Sequence, residues 1–392
     1  MIPSSDGPES GREGSAQGST PNGSVAGANL AGRLSAPPWV VSVVGLLIGV
    51  GIVLRVLVPN GMDATMFLAF GEDAPVQTEY AVRLLGEVTT RHDLGHDGKF
   101  FFAQANDPWY LEPEQNASVL DRPFYRGQRM LFPMLAGGFG FFPPRVIVWS
   151  MLLTNLLALA LGATLAARIA VRLGRSAWLG LAVPLNLGLL YEIWIGGAGV
   201  VAYMFCLAAI YALAFERTWA ASICFAAAAL TRESMLAFAA GIFLLLWLDQ
   251  RRYLWRLVVT PLLAMAIWDT YLQFRLAGVT GLGANWEVFA PPFDGILGAF
   301  REWADNPSNL LASVAILAVV IPFVPLALRS RLAIAWGALP FVALSVILSV
   351  QVWRVPSDLA RALVPVFTAA PFLVVVRGRG SAPRVVSDAI KE

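Results

Sequence analysis

The chain has little charge, two lysines, two histidines and two cysteines in 392 residues. Charged residues make up 14% of it, against about 25% in a soluble globular domain, which excludes a water-exposed surface over most of the molecule. Cys206 and Cys224 both fall inside apolar runs, so they supply neither a disulfide framework nor a metal-ligand spacing and read as core thiols. With His92 and His96 the only imidazoles, no zinc shell of several histidines can be completed. Residues 1–36 contain no aromatic side chain and are rich in Gly, Ser and Pro. They cannot bury enough apolar surface to offset ordering entropy, and a disordered tail is expected there. No small-residue cleavage site of the A-x-A kind accompanies the apolar run that follows, so it reads as an uncleaved first span. The two lysines stand against 26 arginines, a skew expected of a GC-rich bacterial genome, in which the Asn-Ala-Ser triplet at Asn116 would go unread.

What the chain has in abundance is apolar sequence: 57% hydrophobic residues, 13 tryptophans and a mean hydropathy of +0.65. Its long runs approach the roughly 20 residues that cross a hydrocarbon core about 30 Å thick, where only helices or closed barrels satisfy their backbone. The runs are continuous rather than alternating, so the expected class is all-α, a polytopic helical bundle. Arginines cluster at Arg168, Arg172 and Arg175, at Arg251, Arg252 and Arg256, at Arg329 and Arg331, and at Arg377, Arg379 and Arg384. Placed inside by the positive-inside rule, they give about ten spans: 38–58, 145–167, 177–190, 197–215, 219–231, 234–248, 253–272, 308–328, 332–350 and 359–376. The expected product is a multi-pass protein of the cell membrane with a transmembrane domain over 37–376, a second tail at 377–392 and both termini cytoplasmic.

On this topology segment 59–128 is extracytoplasmic, and it holds 11 acidic residues against five basic ones. It contains "RHDLGHDGKFFF", which carries both histidines. Phe100, Phe101 and Phe102, with Trp109 and Tyr110, suit either a rest at the membrane interface or the core of a small loop. Arg55, Glu192, Arg232, Glu233, Asp269, Arg354, Asp358 and Arg361 all fall near outer helix ends. Ionisable groups at membrane depth usually face a wet cavity and serve a function, so a polar cavity opening outward is expected; structural ion pairing, as between Arg232 and Glu233, is the plainer alternative.

Within "HDLGHD" a His-Asp pair repeats at a spacing of four, which on a helix would align His92 with His96 and invite a metal. Gly95 and Gly98 oppose an uninterrupted helix. An oxygen-ligated divalent cation stays open as a cofactor beside a metal-free role for Asp97 or a simple turn-capping role. Further on, "LDRPFYRGQRMLFPMLA" sets Arg126 and Arg129 three apart on one face before an apolar helix. A guanidinium fork binds phosphate oxygens bidentately; snorkelling to the headgroups is the alternative.

Taken together, "HDGKFFF", "LDRPFYRGQRMLFPMLA" and "ALTRES" resemble the pattern of a family of bacterial membrane proteins assigned to cell-surface glycopolymer formation, within the GT-C glycosyltransferase-like superfamily. Asp97, Gly98 and Phe100 match its first motif, Asp121, Pro123, Tyr125, Arg126 and Arg129 its second, and Leu230, Thr231, Arg232 and Glu233 its third. His96, Lys99, Phe101 and Phe102 depart from it. The resemblance implies a GT-C-like membrane bundle whose first outer loop carries the catalytic carboxylate. It also implies a polyprenyl-phosphate-linked sugar as donor, a glycan or glycolipid as acceptor, the bilayer as surroundings, and no nucleic-acid partner.

Glycosyl transfer from a lipid phosphate needs a base for the acceptor hydroxyl and cations for the leaving phosphate. Asp97 is the expected base, with His96 tuning it or sharing its task. Arg126 and Arg129 are expected to bind phosphate, with Arg232, Arg354 and Arg361 as a second ring and Tyr125, Asp121 and Glu233 in support. A transporter or lipid flippase would need similar spans and intramembrane charge, but it predicts inverted repeats and none is evident. A non-catalytic partner in glycopolymer assembly is a third reading.

Overall fold

Proline sets where many of the helices begin. In the computed structural model, which describes residues 36–250, 254–279 and 288–374, α1 (Pro38–Leu57) opens on a proline in its first turn and carries Arg55 in its last, the position where the fixed φ and missing N–H of proline do no harm. Residues 1–35 and 377–392, with Arg251, Arg252, Arg377, Arg379 and Arg384, lie outside the described residues.

Segment 59–128 folds into short elements: β1 (Phe70–Gly71), α2 (Pro75–Leu85), β2 (Thr90–Arg91), α3 (Gly98–Asn106), α4 (Pro113–Val119) and α5 (Pro123–Gly127). Of these α2, α4 and α5 again start on proline. The two strands pair in parallel, Phe70 with Thr90 and Gly71 with Arg91. The aromatic run of α3 forms this segment's core. Phe100, Phe101 and Phe102 are all buried; Phe102 meets Phe70 and Tyr80 edge-on at 6.2 and 6.4 Å, and Phe101 meets Phe132 at 5.3 Å. Of the two readings open from sequence, the loop core holds for the phenylalanines and for buried Tyr110, while Trp109 alone stays exposed.

After α6 (Leu131–Ala136) and α7 (Pro144–Arg172) come α8 (Leu187–Trp194), α9 (Gly199–Leu213), α10 (Thr218–Thr231), α11 (Met235–Gln250) and α12 (Arg256–Leu276). The described chain continues through α13 (Asp294–Ala304), α14 (Pro307–Ser330), α15 (Ala333–Val346), α16 (Val350–Trp353), α17 (Pro356–Ala362) and α18 (Val364–Val374). Four stretches, Pro38–Asn60, Pro144–Arg172, Arg256–Leu276 and Pro307–Ser330, are long and apolar enough to cross a membrane, and the α17–α18 pair, bent by 71°, makes a fifth if it is one broken span. Helices α9, α10, α11 and α15 are apolar but shorter. The class is therefore a membrane helical bundle, with four or five spans of full length among the described residues.

Small residues set the closest helix contacts. Gly45 and Gly49 of α1 face α7, where an added Cβ would lie 3.2 Å from the Ala163 Cβ and 2.9 Å from a Leu156 methyl, the small-residue packing that lets apolar helices approach without a hydrophobic drive between them. The expected span at 177–190 is not one helix. A 3-10 turn, Ala177–Ala182, precedes Pro184, and α8 starts afresh with the Asn186 side chain accepting from the Gly188 N–H at 3.0 Å. Gly188 then lets α8 press against α17: a Cβ there would sit 2.3 Å from the Ala360 carbonyl oxygen. These two helices bring Glu192 and Arg361 together.

Candidate active site

Asp97 is delivered by a turn that only glycine can make. Gly95 has φ +68°, and a Cβ on it would lie 2.1 Å from the Ala69 carbonyl oxygen, while one on Gly98 would lie 2.6 Å from that of Ile195. Between them the His96 N–H donates to Ala69 O and the Gly98 N–H to Ile195 O, both at 2.9 Å. Asp97 stands at the N-cap position of α3, yet its side chain does not cap the helix. Its carboxylate turns away to accept from Arg126 Nη1 at 2.7 Å and from Arg361 Nη2 at 2.6 Å. Burial alone would raise its pKa, but Arg361, Arg126 and Arg129 outweigh that and hold the carboxyl well below the ordinary carboxylate range.

Around this pair the other charges are matched one against another. Arg126 also forks onto Asp121 at 2.9 and 3.0 Å, and its guanidinium lies over the Phe100 ring, 4.0 Å from the centroid. Arg129 forks onto Glu233 at 2.8 and 2.6 Å and also donates to the Tyr125 hydroxyl. Glu192 is fully buried. It accepts from Arg232 Nη1 at 2.6 Å, from Arg361 Nε at 2.9 Å and from the Gly199 N–H at 3.1 Å. Room for its carboxylate exists because residues 197 and 199 are glycine: a Cβ on Gly197 would fall 1.8 Å from its Oε2. Arg361 further donates to Asp358 at 3.4 Å. Among the described residues three guanidiniums, Arg126, Arg232 and Arg361, thus meet four carboxylates, Asp97, Asp121, Glu192 and Asp358, in one connected network, with Arg129–Glu233 as a separate pair beside it.

Members of these charge pairs line a cavity of about 800 Å³. Asp97, Arg126, Arg129, Arg232, Glu233 and Arg361 are among its polar lining, and apolar side chains including Phe124, Met235, Phe289, Phe341, Leu344 and Leu348 also line it. Guanidiniums and hydrocarbon side chains lining one cavity suit an amphiphilic anion.

Of the residues singled out from sequence, Asp97, His96, Tyr125, Arg126, Arg129, Arg232, Glu233 and Arg361 all line this cavity, and Asp121 supports Arg126 from beside it. Arg354 does not belong with them. It caps α16 with its side chain exposed and is absent from the cavity wall, because the turn into α17 carries it away from the face that presents Arg361. His96 lines the cavity, but its Nε2 lies 3.1 Å from the Tyr191 hydroxyl, with the two rings edge-on; burial is the main influence that lowers its pKa and keeps it neutral at pH 7. The repeated His-Asp pair does not close on itself: His92 is exposed and pairs with Glu72 at 2.8 Å, and Asp93 caps the Gly95 N–H at 2.7 Å. Among the described residues no group of three or more His, Cys, Asp or Glu is placed to hold a metal ion, and the cavity's carboxylates are turned to guanidiniums. Glu192, noted in sequence only as an ionisable residue near a helix end, proves to be the hub. What exposes it is the neighbouring Gly196-Gly197-Ala198-Gly199, a run whose missing side chains make space for a carboxylate.

No family model, curated protein or solved structure matches the chain.

Proposed function

We propose that the protein is a membrane glycosyltransferase that moves a sugar from a polyprenyl-phosphate donor to a glycan or glycolipid acceptor on the outer face of the cell membrane. The architecture is a GT-C-like bundle of about ten spans, in which the shorter apolar helices also cross, with segment 59–128 outside and both termini cytoplasmic. The observation that carries this reading is the cavity itself, lined by four guanidiniums, the carboxylates of Asp97, Glu233 and Asp358 and a set of hydrocarbon side chains, with the acidic loop contributing His96, Asp97 and Arg126. A lipid-linked phosphate satisfies both kinds of lining at once, and a soluble sugar nucleotide leaves the apolar side chains unused.

In the reaction Asp97 takes the proton of the acceptor hydroxyl as its oxygen attacks the anomeric carbon of the donor sugar. The bond from that carbon to the phosphate oxygen breaks, its electron pair goes to the phosphate, and Arg126 and Arg129 stabilise the charge that develops there. Arg361 and Arg232, tied to Glu192, fix the floor on which Asp97 rests. His96 stays neutral and orients against Tyr191. The reading is tested by incubating the purified full-length protein in lipid nanodiscs with radiolabelled polyprenyl-phosphate sugars and extracted cell-surface acceptor. Transfer of label supports it. Donor movement across a sealed bilayer without transfer would support a flippase instead.

A further inference from the structure

A carboxylate gripped by two guanidiniums is a poor proton acceptor, so the site as it stands is switched off. Asp97 Oδ1 and Oδ2 are each held by a separate arginine, and burial leaves water little access to either: the Asp97 side chain is 18% exposed. The two arginines are not equivalent. Arg361 is bound through Nε to Glu192, whose side chain is 1% exposed, and through Nη1 to Asp358, and moving it would strand a buried charge. Arg126 is bound through Nε and Nη2 to Asp121, whose side chain is 44% exposed and open to water, so Arg126 can shift while that partner is rehydrated. Arg126 also lines the cavity where an anion would lie.

Resting on the donor reading above, we infer that the donor's phosphate takes over Nη1 of Arg126 from Asp97, so that loading the donor is what turns Asp97 into a base. The groups facing the Asp97 carboxylate are Arg126 from α5, Arg129 from the turn between α5 and α6, Arg361 from α17 and Glu192 from α8. His96 precedes it in its own turn, and Lys99 follows in the first turn of α3. Removing one opposing cation, and adding one phosphate anion beside the site, both favour the protonated form of Asp97. The low proton affinity of the clamped carboxylate is the starting point this exchange reverses. The consequence is an obligatory order. Without donor the acceptor hydroxyl meets a carboxylate that will not take its proton; with donor bound, Asp97 keeps Arg361 for orientation and has Oδ1 free to accept. After transfer the proton on Asp97 passes to the newly formed phosphate monoester dianion, which restores the carboxylate and returns Arg126 to it. Atoms and charge balance without any further reactant.

The test uses the full chain in nanodiscs, labelled with 13C-aspartate, and as probe a polyprenyl methyl phosphodiester, which carries the donor's single charge and no sugar. The infrared carboxylate bands of Asp97 are isolated by difference against Asp97→Asn, or against Asp97→Glu if the first variant does not fold. Saturating probe should shift the Asp97 bands toward those of a carboxylate with one guanidinium partner. In Arg126→Gln the bands should start at that position and stay there, with probe affinity reduced by about tenfold. A probe that binds without moving the bands, or moves them equally in Arg126→Gln, overturns the inference and leaves the donor reading standing. A probe that does not bind at all overturns both.

Discussion

Replacing Glu192 by Gln keeps the shape of the side chain and removes one negative charge from the centre of the arginine network. Glu192 Oε1 accepts from both Arg232 and Arg361, and Oε2 accepts from the Gly199 N–H. An amide has one oxygen, so in either orientation its NH2 must face a donor: the Gly199 amide in one, two guanidiniums in the other. One buried hydrogen-bond mismatch costs about 1–3 kcal/mol. Breaking a buried ion pair outright costs about 3–5 kcal/mol, but Arg361 retains Asp97 and Asp358 and the guanidiniums are partly hydrated, which places the total near 3 kcal/mol, toward the lower end of that range. Thermal unfolding of the purified variant in nanodiscs should fall by roughly 5 °C. Glu72→Gln, which removes the exposed partner of His92, should leave the transition unchanged. A Glu192→Gln protein as stable as the parent would mean that Glu192 is not the hub and that both arginines are satisfied by water.

Arg126→Lys and Arg129→Lys preserve charge but lose the bidentate fork, so each should fold and yet bind a polyprenyl-phosphate donor about tenfold more weakly or worse, measured by equilibrium binding in nanodiscs; unchanged affinity in both would favour headgroup anchoring. In a background without Cys206 and Cys224, Ser118→Cys and Ser330→Cys should label from opposite sides with an impermeant thiol reagent, and labelling of Ser330→Cys alone from outside would invert the topology. Stability should also follow Asp97 with pH. Because its native pKa is depressed, its contribution is fully present above the unfolded carboxylate value of about 4 and is lost as pH falls through the lower native value, so the stability gap between parent and Asp97→Asn should be constant from neutral pH to about 5 and close only in stronger acid. A gap that closes already near pH 6 would contradict the arginine clamp.

Much of the bundle was legible because apolar length is written directly in sequence. The expected 38–58 and 308–328 correspond to Pro38–Leu57 and Pro307–Ser330, and 145–167 to the longer Pro144–Arg172. Breaks were harder to read. Hydropathy stays high through 177–190, and only Pro184 with the capping Asn186 ends the turn and starts α8 there; likewise 359–376 is bent just after Arg361, where α17 gives way to α18. The ten-helix count depends on how the shorter apolar helices sit in a bilayer, which length alone does not decide. In the site, the motif residues came together because their types already announced a charged cavity. Glu192 was missed as hub because its role depends on Gly197, Gly199 and the approach of α17 over Gly188, contacts between segments that are distant in sequence. Arg354, grouped with Arg361 from sequence, is exposed at the end of α16 and does not line the cavity, a separation that seven residues of sequence do not reveal.

The central claim is that Asp97 is the base of a lipid-phosphate glycosyl transfer, and the most direct measurement is the single-turnover rate of sugar transfer by Asp97→Asn against the parent, at equal folded fraction and saturating donor. Each clamping arginine keeps a second carboxylate in this variant, Asp121 for Arg126 and Glu192 for Arg361, so folded protein is expected. Loss of a positioned general base lowers the rate by about 10²- to 10⁴-fold, and that is the predicted result. A folded Asp97→Asn protein that transfers sugar at the parental rate would contradict the account.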